Sequence, residues 1–305
     1  MLNSEIIKTN NPKISKISML ISAISMGCVG VFVTLLQAFS IFAIVLLRGI
    51  FGTLFLTLFM IRTKSFSINF LKESLYTHWK LLLIIGIINP LIIYLYFLNI
   101  SISGYAIAAF LLYTNGIIVI LFLIIDRIET ISKTNILSFI LAIIGVAIIM
   151  EFWVGFQLTW GLILGLLSSV FLALLIFCKK KIYIIRNQNS SKIINDGNFD
   201  IFLAWWPTLF LIIIFLPISG FELLYLTLMD LIYSILLGLI PTAIAFTLYN
   251  VGVKNDKGGN IIILAYIEPI VATICEFFIH SEFSLSVFIG GSFILIANIL
   301  ILKYS

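Results

Sequence analysis

Ten apolar runs of about 20 residues follow one another along the chain, with mostly short polar connections between them. They cover 17 to 37, 41 to 61, 79 to 100, 104 to 125, 134 to 152, 157 to 178, 199 to 217, 229 to 251, 259 to 279 and 284 to 303. A helix of that length rises about 30 Å, the thickness of a bilayer's hydrocarbon core. Inside that core only helices and closed barrels satisfy every backbone amide. The pattern predicts an all-α integral membrane protein with ten transmembrane helices. With 62% hydrophobic and 10% charged residues over 305 positions, there is too little polar side chain to clothe a soluble globule.

Orientation follows from the basic residues. If residues 1–16 are cytoplasmic, the loops around 64 to 78, 126 to 133, 179 to 198 and 252 to 258 are cytoplasmic too, as is the carboxyl end. Those segments and the adjoining span ends hold every one of the 18 Lys and Arg residues except Arg48, which lies inside the second run. Positively charged short loops stay inside. The expectation is a multi-pass protein of the inner or plasma membrane with both termini cytoplasmic. The first run is of spanning length and no small-residue cleavage site closes it, so it reads as a helix rather than a signal peptide. Cys28, Cys178 and Cys275 all fall in apolar runs, as buried thiols do, and their number is odd, which argues against a disulfide framework.

One run is not uniformly apolar. From Ile261 to Glu282 the chain reads IIILAYIEPIVATICEFFIHSE, with a Glu-Pro step near its middle. A carboxylate at that depth is costly unless it is paired, protonated or facing water, so Glu268 is a functional candidate. Pro269 removes an amide and deprives the Ala265 carbonyl of its helical donor, which predicts a broken helix. Such backbone persists in a membrane where protein buries it or where it lines a cavity.

The two halves of the chain repeat. Gly86, Pro90 and Asn99 recur almost in step as Gly238, Pro241 and Asn250. A constant offset then superposes Tyr113 on Tyr266, Asn115 on Glu268, Gly116 on Pro269 and Glu129 on Glu282. Five runs separate equivalent positions. An odd number inverts the second half relative to the first, and inverted repeats are a signature of secondary transporters, with the site near the midplane. The expected division is 1–16, a cytoplasmic segment; 17–152, a first repeat of five helices; and 153–305, a second. Asn115 and Glu268 are central in their runs, and Arg48 lies about one turn from the middle of its own.

The stretch IEPIVATICEFFIHSEFS, followed by Gly290 and Gly291 and preceded by PTAIAFTLYNVGVKN, resembles the second repeat of EamA-type transporters of the drug/metabolite transporter superfamily. Gly27, Arg48 and Glu129 carry a weaker match in the first repeat. The resemblance runs from about 17 to 303. It implies two inverted five-helix repeats around a central cavity and alternating-access movement of small metabolites. Two departures stand out: no proline accompanies Asn115 and Gly116, and Asn298 stands where the family often has glycine.

Glu268, Arg48 and Asn115 are thus the candidate midplane contacts for a substrate or coupling ion, and Pro269 the candidate helix break. Each has a plainer reading. Glu268 can be a structural acid, Arg48 can bond carbonyls or Glu268 itself, and Asn115 can fasten helices. Tyr113, Tyr266, Trp205 and Trp206 are candidates for the cavity wall or for packing, as are Tyr94 and Tyr96. Glu276 extends a polar path outward or marks the membrane boundary. Glu129 and Glu282 read as structural or interfacial residues at span ends, and Lys254 and Lys257 as topology determinants. No phosphate-binding loop, zinc-protease motif, serine-hydrolase elbow or paired-cysteine motif is present. The chain therefore reads as a secondary transporter rather than an enzyme. Its expected partners are a small-molecule substrate and the lipid bilayer, with no cofactor, no metal and no nucleic acid. The rival reading is a non-transporting membrane partner or a lipid-flipping subunit.

Overall fold

The computed structural model describes residues 12–63, 67–125, 133–149, 151, 159–188, 196–254, 262–280 and 284–304. Each of the ten apolar runs carries helix, and no strand occurs among the described residues. The first run is split into α1 (Pro12–Gly27) and α2 (Val29–Leu35). The second is the unbroken α3 (Ile41–Arg62). The third, α4 (Ile68–Ser103), starts ahead of its apolar stretch and kinks at His78, where φ is −128° and ψ is 18°. The fourth is broken into α5 (Tyr105–Leu112) and α6 (Asn115–Ile125). Then come α7 (Lys133–Ile149), α8 (Trp160–Gln188) and α9 (Asp196–Ser219), the last followed by a 3₁₀ turn, Gly220–Tyr225.

The eighth run joins α10 (Leu228–Gly238) to α11 (Ala245–Lys254) through a π-helical segment, Leu239–Ile244. The ninth begins as a 3₁₀ segment, Ile262–Tyr266, and continues as α12 (Ile267–His280). The tenth is α13 (Leu285–Tyr304). Six helical stretches are long and apolar enough to cross a membrane: Lys13–Leu35, Ile41–Arg62, His78–Ser103, Trp160–Tyr183, Phe199–Tyr225 and Leu228–Val253. Shorter apolar helices accompany them at Tyr105–Val119, Ile136–Ile149 and Leu285–Leu300.

The distribution of side chains suits lipid rather than water. Ile140 and Ile143 on α7 and Phe288 and Ile296 on α13 are exposed, while Arg48, Asn115, Glu268 and Asn298 are buried. Exposed apolar surface of this kind costs nothing against hydrocarbon, and the polar groups it excludes must find partners inside. Neighbouring helices pack in a definite set: α4 on α8 and α9, α3 on α9 and α10, α1 on α11 and α12, and α7 on α13. At the last contact a methyl group on Gly145 would lie only 2.6 Å from the Gly290 carbonyl oxygen. Glycine at both positions lets the two backbones touch.

One rim gathers the amino-terminal ends of α3, α5, α8, α10 and α13. Their first amides lack intrahelical acceptors and are served by side chains. Ser40, Thr159 and Ser284 accept from Ala43, Leu162 and Val287. Thr227 and Asp230 form a reciprocal capping box. Glu151 accepts from the Ser286 hydroxyl at 2.7 Å, tying the segment after α7 to the start of α13.

Candidate functional site

The helix discontinuities converge. At their meeting point lies a cavity of about 150 Å³ whose wall includes Arg48, Tyr96, Tyr113, Asn115, Tyr266 and Glu268. The break between α5 and α6 falls at Tyr113 and Thr114, with no proline to cause it. Side chains hold it instead, by bonding the carbonyls around the interruption, of which Leu111 O also keeps a backbone donor, Thr114 N at 3.2 Å. The Thr114 hydroxyl donates to Leu111 O at 2.8 Å, Asn115 Nδ2 to Leu112 O at 2.9 Å, and Asn298 Nδ2 to Tyr113 O at 2.7 Å. Thr114 is further fixed by the Ser169 hydroxyl, 2.7 Å away.

Opposite this break, the ninth run changes from 3₁₀ to α-helix between Tyr266 and Ile267. Glu268 therefore stands in the first turn of α12, where the positive end of the helix dipole favours a carboxylate. Pro269 occupies the same first turn, where a missing amide is least harmful. The Tyr113 hydroxyl donates to Glu268 Oε2 at 2.7 Å, and the Tyr113 and Tyr266 rings meet edge to face at 5.3 Å. Glu268 is 4% exposed. A third break, at Cys28, comes from the α1 side: a methyl group on Gly27 would lie 2.9 Å from the Glu268 carbonyl oxygen.

Arg48 serves the fourth discontinuity. Its Nη2 donates to Pro241 O at 3.0 Å and its Nε to the Thr242 hydroxyl at 2.9 Å, both within the π-helical segment. Thr242 in turn donates to Leu237 O at 2.9 Å. The guanidinium lies 5.3 Å from the ring centres of both Phe97 and Phe246. Planar, permanently charged and fork-shaped, it suits a site that needs two directed bonds and two stacking faces. No direct ion pair joins Arg48 to Glu268; of the two plain readings of Arg48, carbonyl bonding is the one observed. Nη1 of Arg48 and Oε1 of Glu268 have no partner among the described residues, and both side chains belong to the cavity wall.

Arg48, Tyr113, Asn115, Tyr266 and Glu268 are thus brought together, with Pro269 immediately behind. Trp205 and Trp206 are not. Trp205 Nε1 donates to the Thr57 hydroxyl and Trp206 Nε1 to Leu82 O, each at 2.9 Å, so both indoles fasten α9 to its neighbours and stay out of this wall. Glu276 also lies elsewhere, on the wall of a second cavity nearer the rim. Glu129, Lys257, Glu282 and the side chain of Lys254 lie outside the described residues.

The profile of the EamA-like transporter family matches residues 13–151 and again 159–303. The chain belongs to the EamA-like transporter family. It is a multi-pass membrane protein of a transporter family. An "uncharacterized transporter" of Archaeoglobus fulgidus is 28% identical over 285 residues, 93% of this chain and 94% of that one. A protein of known crystal structure superposes with a TM-score of 0.58 at 12% identity, over 94% of this chain and 97% of the other. That likeness is one of fold alone.

Several residues of this EamA-like transporter's cavity were not singled out for it from sequence. Asn89 is in the wall and donates to Pro207 O at 3.1 Å. Its position inside the repeated GIINPLIIYLYFLN pattern was the available signal. Lys179, buried at the end of the sixth apolar run, donates to Asn250 Oδ1 at 3.2 Å and also lines the cavity. Asn298, which is outside the wall but bonds the Tyr113 carbonyl behind it, gave only the signal of departing from the family's glycine. Among the described residues no group of three or more potential metal ligands is assembled. What the wall offers is three cationic side chains (Arg48, Lys179 and Lys180), a carboxylate and amides set among apolar side chains such as Ile92, Ile93 and Leu175. That combination can grip the polar end of a small organic solute while covering its body.

Proposed function

We propose that this protein is a secondary transporter of the cell membrane that moves a small organic metabolite by alternating access. The observation that carries the reading is the cavity itself: four helix discontinuities surround it, and Glu268 and Arg48 stand in its wall, both buried. Intramembrane charges and broken helices mark substrate paths in transporters. The chain divides into two inverted five-helix repeats, 17–152 and 153–305, with both termini cytoplasmic. Support comes from the double match of the family profile and from the packing set. Exchanging each run for the one five places on turns the α4 and α8 contact into that of α11 and α1, and the α5 and α8 contact into that of α12 and α1. Glu268, Arg48 and Asn115 contact the solute or coupling ion, Tyr113 and Tyr266 shape the wall, and the breaks at Tyr113 and Tyr266 are the flexing points.

The test compares metabolite uptake and efflux in cells with and without the protein, followed by flux of each candidate solute in liposomes. Saturable flux that Glu268→Gln abolishes is expected. Liposomes with no saturable flux for any metabolite that differs between the cells would sink the reading.

A further inference from the structure

Two carboxylates from the second half of the chain reach helix ends of the first half at the same rim. Glu222, in the 3₁₀ turn after α9, accepts from the Ser40 amide at 2.9 Å and from its hydroxyl at 2.5 Å, at the start of α3. Glu276, on α12, accepts from the amides of Tyr105 and Ala106 at the start of α5, one per carboxylate oxygen and each at 2.9 Å. A helix's first amides normally find a cap in their own segment. Here the cap position is Gly104, which has no side chain and a φ of +86°, open to glycine and strained for other residues. A methyl group there would collide with the Glu276 carboxylate. The cap for α5 thus comes from the opposite half, through charge-assisted bonds. Beside it the hydroxyls of Thr34 and Tyr105 are hydrogen-bonded, so that α2 joins the same knot.

Glu276 also walls a second cavity, of about 440 Å³, with Gln37, Ser101 and Ser103. The two cavities are stacked along shared helices. Val29 and Tyr96 belong to the central wall, while Val33 and Ile100, about one helical turn further along α2 and α4, belong to the second. A partition about one turn thick separates them, and the knot of Glu276, Gly104 and Tyr105 stands at its edge.

We infer that the second cavity is the outward vestibule of the transport path and that the grip of Glu276 on the α5 amides is the latch that keeps it shut from the central cavity. This rests on the transporter reading above. Release of the carboxylate from Tyr105 and Ala106 parts α12 from α5, and with them the two halves, and joins the cavities. Glu276 serves as a gate-positioning residue and does not touch the solute.

The experiment uses the full chain in intact cells, with Cys28, Cys178 and Cys275 replaced by serine and one reporter cysteine at a time. Gln37→Cys reports the vestibule and Ile93→Cys the central cavity. An impermeant maleimide is applied from outside. Gln37→Cys should react at the same rate in every background. Ile93→Cys should react slowly with the latch intact and about tenfold faster or more in Glu276→Gln, as expected for removing a hydrogen-bonded charge. Gly104→Ala, which displaces the carboxylate from the other side, should act likewise. The two variants break the contact from opposite partners, so misfolding of one, read by size-exclusion chromatography, leaves the other as the test. An unchanged Ile93→Cys rate in a folded variant, with Gln37→Cys reacting normally, overturns the latch. Gln37→Cys reacting only in inverted vesicles overturns the orientation, and the latch falls with it. Absence of flux in the parent protein sinks the transporter reading independently of either labelling result.

Discussion

Asn298 donates to the carbonyl of Tyr113 at 2.7 Å, across 185 residues of sequence. The tenth helix thereby completes a break in the fourth. Asn298 Oδ1 has no hydrogen-bond partner among the described residues, so the Nδ2 bond to Tyr113 O accounts for the residue's value. Asn298→Ala should lower stability by about 1 to 3 kcal/mol, the cost of an unsatisfied buried carbonyl. Thermal unfolding in detergent measures it, and an unchanged melting temperature would mean that water or a relaxed helix replaces the amide.

Arg48 and Glu268 are bound to different elements, Arg48 to the π-helical segment and Glu268 to Tyr113. Glu268→Gln keeps an acceptor for the Tyr113 hydroxyl and should stay within about 1 kcal/mol of the parent. Arg48→Gln loses two directed bonds and two ring contacts, a cost of about 3 kcal/mol or more. The double variant should be about as unstable as Arg48→Gln alone. A direct buried pair would instead show recovery of roughly 3 to 5 kcal/mol, and unfolding of all three variants distinguishes the cases.

Two prolines invite a hinge experiment, and the structure ranks them. Pro269 sits in the first turn of α12, whereas Pro241 lies within the π-helical segment that holds Arg48. Pro241→Ala supplies an amide within the π-helical segment, and should slow turnover severalfold at nearly constant affinity. Pro269→Ala should do less. Single-turnover and steady-state flux on both variants check the order.

Trp206 binds Leu82 O through its indole nitrogen and takes no part in the central wall. Trp206→Phe should therefore destabilise the protein by about 1 kcal/mol, the worth of one hydrogen bond, with the solute's half-saturation concentration unaltered. A shift in that concentration would return the indole to the substrate path.

Much of the helical layout was legible because each element had to be apolar for its own length. Among the described residues every run carries helix, six stretches of it long and apolar enough to cross a membrane, and a change of helix type falls near Tyr266, just ahead of the Glu-Pro step. The break at Tyr113 was not legible. Its cause is a set of side-chain bonds, one of them from Asn298, and no local spacing encodes a partner so distant. Glu276 was opaque for a different reason: its partners are backbone amides of α5, which carry no residue-type signal. The indoles of Trp205 and Trp206 suit a cavity wall and a helix-to-helix tie equally well, so the sequence leaves both readings open.

The attachment of Arg48 to the π-helical segment has an electrical consequence. Its permanent charge, carried on α3, is bonded to the eighth run, while the buried carboxylate of Glu268 is on the ninth. Relative motion of those two elements displaces a positive charge through the membrane field without an equal negative one beside it. A full crossing is worth about 2.3 kcal/mol per 100 mV, so a shift through a tenth of the field contributes about 0.2 kcal/mol. Under the alternating-access function proposed above, the membrane potential biases the two access states by that amount even for an uncharged solute.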